Sequence, residues 1–137
     1  MNYWLLKTEP EEFSWDDLVK KRVGGWDGVR NTRAAAYLKR MEVGDRAFFY
    51  HTGKAKAVVG IARVVKPAYP DKSDPTGKFV MVDVEAVKPF KAPVTLAAVK
   101  ADPRFADSQL VRIARLSVQK VEPEMWAAIC ALGGVSP

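Results

Sequence analysis

The chain alternates short apolar runs with polar, proline- or glycine-marked breaks, and this rhythm predicts its elements. Tyr3 to Lys7 reads as a short strand, closed off by Pro10. Ser14 then stands where a helix N-cap belongs, and the helix it opens runs to about Lys21, with Asp16 and Asp17 placed favourably in its first turn. Val23 to Gly28 reads as a loop, because Gly24, Gly25 and Gly28 cannot continue a helix. Asn31 can cap a second helix to about Met41, with Ala34, Leu38 and Met41 on one side and Arg33, Tyr37 and Arg40 on another. After the Val43-Gly44-Asp45 turn, the aromatic run Arg46 to Thr52 predicts a strand.

Ala57 to Lys66 is β-branched and apolar on both faces, which suits a central strand. Gly60 within it signals a bulge or a close approach of another group to the backbone. Pro67 to Lys78 reads as a polar loop. Phe79 to Lys88 is the clearest strand, since Val80, Val82, Val84 and Ala86 alternate with Met81, Asp83 and Glu85. Thr95 caps a short helix to about Lys100. Asp102 to Ala114 reads as irregular with one helical turn. Leu116 to Val121 is a last strand. Pro123 opens a final helix whose apolar side is Met125, Trp126, Ile129, Cys130 and Leu132, stopped by Gly133-Gly134.

Five short strands with short helices between them, and no long helical crossovers, predict an α+β fold. A small mixed β-barrel with peripheral helices fits this pattern. The 137 residues amount to one domain, residues 1–137, with no internal repeat.

Charge shifts the picture toward a polyanionic partner. Twenty-two basic against sixteen acidic residues leave a net charge of +6, and clustered Lys and Arg displace counterions from phosphates. The single cysteine, Cys130, and single histidine, His51, leave too few ligands for an ordinary zinc site or a disulfide. No metal and no cofactor is expected. No run of about 20 apolar residues predicts a membrane span, and the N-terminal stretch lacks a signal-peptide layout, so a cytoplasmic location is expected.

Catalytic motifs are absent: the glycines match no nucleotide-binding signature, and no Gly-x-Ser-x-Gly occurs. Cys130 falls on the apolar side of the last helix. Asp83 and Glu85 share a strand face and could pair as acid and base, or be merely solvated. His51 could line a cleft beside Tyr50 at a strand end, or be a hydrogen-bonded core histidine. The densest constellation is Trp26-Asp27-Gly28-Val29-Arg30-Asn31. A tryptophan on a glycine-rich loop can stack a base, Asn31 can read a base edge, and Arg30 can hold phosphate. The same residues could equally be a core plug, a helix cap and a solvated cation. Arg33, Lys54 and Arg115 are candidate phosphate contacts.

Those motifs, in order, resemble the EVE-domain family. The chain opens on Tyr3-Trp4-Leu5-Leu6-Lys7-Thr8-Glu9-Pro10, then carries the Trp26 to Asn31 motif. Ala47 to His51, Gly60-Ile61-Ala62, Ala68 to Asp71, Met81 to Val84 and Arg115 to Gln119 follow. The resemblance spans essentially the whole chain and takes in both bacterial stand-alone members and animal members, beside which the loop after Tyr69 is short. It implies a PUA-like barrel and a pocket for a modified base in DNA or RNA, extruded or single-stranded. The implied pocket comprises Lys7, Thr8, Trp26, Arg30, Asn31, Tyr50, His51 and Ser117. A binding module rather than an enzyme is the expectation. An enzyme using His51 with Asp83 or Glu85, and a small-molecule or protein-interaction module using the same pocket, remain as alternatives.

Overall fold

A computed structural model describes all residues from Met1 to Pro137. Six strands form one mixed sheet: β1 (Tyr3–Thr8), β2 (Val23–Trp26), β3 (Arg46–His51), β4 (Ala57–Pro70), β5 (Val80–Thr95) and β6 (Val118–Val121). Their order is β2-β5-β4-β3-β1-β6. Only the β1–β3 pair is parallel; every other pairing is antiparallel. Five α-helices complete the fold: α1 (Trp15–Lys21), α2 (Thr32–Arg40), α3 (Leu96–Ala101), α4 (Gln109–Arg112) and α5 (Pro123–Leu132). None is long and apolar enough to cross a membrane.

The central strands bury both faces, so adjacent residues enter opposite cores. Trp4, Leu6, Ala47, Phe49, Ala62 and Val64 face a core that also holds Leu18 of α1 and Leu38 of α2. Leu5, Phe48, Tyr50, Val58 and Ile61 face the other, with Trp126 and Ile129 of α5 and Val99 of α3. Trp126 is stacked between Phe48 and Tyr3, at centroid distances of 3.9 and 4.4 Å. Cys130 lies fully buried in this second core, where burial pushes its thiol up to about 11.

Helix starts follow local chemistry. Ser14 accepts from the Asp17 N–H while Asp17 accepts from the Ser14 N–H, a reciprocal capping box. Asn31 and Thr95 cap α2 and α3 through the N–H groups of Ala34 and Ala98. Gly60 fulfils both of its signals. The β3–β4 register shifts opposite it, so Val58 and Ile61 share a core despite their odd spacing. The Trp15 ring also presses onto its backbone, 2.7 Å from where a Cβ would stand.

Several expectations need correction. The sheet is not closed into a barrel: β2 and β6 are its two edges, and α2 packs against β4, β5 and β6. Val23 to Trp26, expected as a loop, is a strand. Gly24 and Gly25 pair with Val84 and Asp83 of β5, and the Phe13 and Leu18 side chains approach Gly24 where a Cβ would stand, at 3.0 and 3.1 Å. That pairing is tertiary and outweighs glycine's weak strand propensity. β4 and β5 extend to Pro70 and Thr95, past the predicted ends, with register shifts that accommodate their bends. Tyr37, on the same side of α2 as Arg33 and Arg40, is buried. Its ring packs on Trp4, and its hydroxyl accepts from the Gln109 amide at 2.6 Å. Leu132, expected on the apolar side of α5, is half exposed. The 102–114 segment holds a 3-10 turn (Pro103–Phe105) as well as the expected helical turn, α4.

A side chain at Gly60 must displace Trp15. Gly60→Val is expected to lower stability by about 1–3 kcal/mol through overpacking, read by urea denaturation, with a matching loss of near-ultraviolet tryptophan dichroism.

Candidate functional site

The carboxyl ends of the parallel strands β1 and β3 leave polar groups at one rim of the sheet, and a cleft of about 790 Å³ opens there. Thr8 and Thr52 come from those strand ends, and Gly25 and Trp26 from β2. Asp27 to Val29 follow from the next loop, Phe13 from the β1–α1 loop, and Ala114, Arg115 and Ser117 from the segment before β6. The two edges of the sheet therefore contribute to one cleft, because the sheet curls without closing.

Lys7 is the most constrained charge in it. Its backbone N–H donates to the Ser117 carbonyl at 2.9 Å, and its Nζ donates to the Ala114 carbonyl at 2.8 Å. Burial pushes its pKa below the ordinary lysine value. Thr8 donates to the Phe13 carbonyl at 3.0 Å, tying the β1–α1 loop to the cleft wall. Trp26 is only 6% exposed. Phe49 and Phe13 hold its ring edge-to-face at 5.5 and 6.0 Å. It forms a wall of the cleft, not the free plate on a loop that the sequence suggests, because its strand position turns the indole into the core.

Arg30 and Asn31 are spent elsewhere. Arg30 donates to Asp71 at 2.9 Å and to Ser73 at 3.0 Å, and its guanidinium lies over the Phe79 ring. The Asp71 carboxylate is fully buried and also accepts from the Gly28 N–H and from the Ser73 N–H and hydroxyl. Burial alone would raise its pKa. The hydrogen bonds from Ser73, Arg30 and Gly28 outweigh that and hold the carboxyl well below the usual carboxylate range. Asp74 secures the same loop through Thr76 and Phe79, and those bonds hold it at about 2. The side chain of Asn31 is committed to capping α2.

Tyr50 and His51 also leave the predicted constellation. Tyr50 points into the second core, with the Lys7 ammonium 5.5 Å from its ring. His51 accepts from the Trp15 N–H through Nε2 at 3.1 Å and packs edge-on against Phe49. Burial pushes its pKa below the ordinary value, partly offset by Asp16 and Glu11. Of the candidate phosphate contacts, Arg115 lines the cleft while Arg33 and Lys54 do not. Lys7, Thr8, Trp26, Arg115 and Ser117 are thus brought together. Arg30, Asn31, Tyr50 and His51 are placed outside because each answers to a structural partner.

Glu9, Glu12 and Thr52 line the cleft without having been singled out, and so does Lys21, one of the basic residues before the Trp26 motif that offer a phosphate track. Glu9 and Asp27 lie inside motifs that the sequence displays, whereas Glu12 and Thr52 carry no local signal. The proposed acid–base pair is also committed elsewhere: Asp83 accepts from Tyr69, which raises that phenol to about 12, and Glu85 pairs with Arg63. No group of three or more His, Cys, Asp or Glu side chains could hold a metal ion.

The fold and cleft define a small mixed α+β domain with a polar, aromatic-walled cleft at the open rim of its sheet. The EVE-domain model matches residues 2–132, and the chain belongs to that family. Thymocyte nuclear protein 1 of Rattus norvegicus is 35% identical to it, the match covering 99% of this chain and 75% of the rat protein. The solution structure of a Rhodopseudomonas palustris protein superimposes with a TM-score of 0.92 at 51% identity, over 98% of this chain and 94% of that one. The crystal structure of human THYN1 protein in complex with 5-methylcytosine-containing DNA does so with a TM-score of 0.90 at 31% identity, over the whole of both chains.

Asp71 is expected to govern the order of the loop after β2. Asp71→Asn removes the charge that Arg30 and the Gly28 N–H address and should cost about 2–3 kcal/mol. Denaturant titration gives the cost, and amide exchange at Gly28 should accelerate.

His51 sets a separate pH dependence. Its folded pKa lies below the ordinary value of 6.5, so the unfolded chain takes up the proton more readily. Stability is then full above about pH 6.5 and declines as pH falls toward the depressed folded pKa. Melting temperatures between neutral pH and pH ~5 should fall more steeply for the wild type than for His51→Gln, which keeps an acceptor but cannot titrate there.

Proposed function

We propose that this domain binds DNA by accepting one modified base, a modified cytosine or close analogue, in the cleft at the rim of the sheet. The base enters extruded from the duplex or from a single strand, because its full edge is inaccessible while stacked. The observation that carries the reading is the convergence of an aromatic wall, Trp26, with hydrogen-bonding groups and cations on one space of nucleotide-accommodating size. The human THYN1 complex with 5-methylcytosine-containing DNA supports DNA as the partner, given the likeness along the whole chain. The net charge of +6 favours association with a phosphate backbone.

In this reading Trp26 supplies the apolar edge against which the base lies. Thr8 and Ser117 supply short hydrogen-bonding groups, and Lys7 and Arg115 supply positive charge. Arg30 and Asp71 act indirectly by fixing the loop that carries Asp27 and Gly28, so that little ordering remains to be paid for on binding. A binding role without turnover agrees with the fates of the residues that could catalyse. His51 is held by a backbone N–H, Asp83 by Tyr69, and Cys130 lies in the second core.

The test is a titration of the protein with duplexes that carry cytosine, 5-methylcytosine, 5-hydroxymethylcytosine or N6-methyladenine at one position, at low and high salt. The expected outcome is a preference for a modified cytosine that persists as salt rises. Weak binding that is indifferent to the modification and lost with salt would overturn the proposal. Trp26→Ala is a poor probe because it also removes core packing, at about 3–5 kcal/mol. Lys7→Met preserves the side-chain length and should weaken binding by about 1.5 kcal/mol, roughly ten-fold, in the same titration.

A further inference from the structure

Both carboxylates and cations line the cleft. The β1–α1 loop and the end of β2 bring Glu9, Glu12 and Asp27, the end of α1 brings Lys21, and the end of β1 and the segment before β6 bring Lys7, Arg115 and the Ser117 hydroxyl. A cleft that served phosphate alone would gain nothing from carboxylates, which repel it. Asp27 is the most pointed case, because it directly follows the wall residue Trp26. Asp45, Asp71 and Asp83 are all spent on hydrogen bonds within the chain. Asp27 is exposed and takes part in none of the ion pairs.

Given the nucleobase reading of the cleft, we infer that Asp27 is a specificity-determining residue: it selects bases that carry an exocyclic amino group beside a ring acceptor, with Lys7 as the complementary donor. An ionised carboxylate only accepts hydrogen bonds and an ammonium only donates them. Cytosine presents its N4 amino donor next to the N3 and O2 acceptors, so the donor meets Asp27 and an acceptor meets Lys7. Thymine presents O4 where cytosine has the amino group, which sets two acceptors face to face, and its N3–H confronts the ammonium. A site built around such polar groups rejects the mismatched edge strongly, since a desolvated group is left unpaired. Substituents at C5 lie off this edge, so modified cytosines retain the selected pattern.

5-Methylcytosine and thymine share the methyl group and differ only along this edge, which makes them the natural probes. Single-stranded oligonucleotides of one sequence, with either base at the central position, avoid any difference in the cost of extrusion. Fluorescence anisotropy with the wild type should show 5-methylcytosine bound about ten-fold more tightly than thymine, and Asp27→Ala should bring the ratio within about two-fold. Asp27→Ala should melt with the wild type, and Asp27→Asn, which keeps an acceptor oxygen, should retain part of the preference. Equal binding of the two oligonucleotides by the wild type, or a ratio unchanged in Asp27→Ala, would overturn the role of Asp27 while leaving base binding intact. Binding of neither would overturn the nucleobase reading as well.

Discussion

The structure depends on the parallel pairing of β1 with β3, two strands apolar on both faces. Trp4 and Leu6 point one way and Leu5 the other; Phe49 and Phe48 do the same one strand over. Because neither face can meet water without losing burial worth roughly 1.5–3 kcal/mol per large side chain, the sheet must be covered twice. α1 and α2 cover one side and α5 with α3 the other. Three layers follow from the two central strands, and a short chain is left with little apolar surface to hide elsewhere.

The same pairing locates the cleft. β1 and β3 run together and end together, so Thr8 and Thr52 emerge at one rim, where Thr52 donates its N–H to the Thr8 carbonyl. β6 pairs on the outer side of β1 and brings Arg115 and Ser117 to that rim. β2, at the far edge of the sheet, brings Trp26 and Asp27 as the sheet curls. Had the barrel closed, edge-to-edge pairing would have competed for this opening. The incomplete closure and the cleft are two aspects of one arrangement.

Rigidity around the cleft comes from buried or half-buried charges with fixed partners. Asp71 joins two loops through one carboxylate, and Lys7 is pinned to the Ala114 carbonyl. Asp71 is spent wholly on positioning the walls, whereas Asp27, which takes part in no ion pair, and Lys7, whose ammonium keeps donors beyond its bond to the Ala114 carbonyl, line the cleft itself. This division explains why Arg30 and Asn31, which lie in the most distinctive motif of the sequence, serve the architecture of the cleft from outside it. Their chemistry suits base and phosphate, but an N–H donor at a helix start and a buried carboxylate claim them first.

The sequence by itself determined which segments are regular and where most of them begin. Capping at Ser14, Asn31 and Thr95, alternation along Val80 to Ala86, and the glycine at position 60 are local signals, and local physics obeyed them. It also determined the polar and aromatic repertoire at the end of the first strand and in the Trp26 motif, since residue types can be read without coordinates. Tertiary structure alone decided that Val23 to Trp26 is a strand, because its partner lies some sixty residues away in β5 and glycine carries no strand signal. It decided that the sheet stays open, and that His51, Tyr50, Arg30 and Asn31 answer to structural partners. Glu12, Lys21 and Thr52 joined Lys7 and Ser117 for the same reason: which side chains share a space is set by long-range pairing and by competition for hydrogen-bond partners, and neither is written in local spacing.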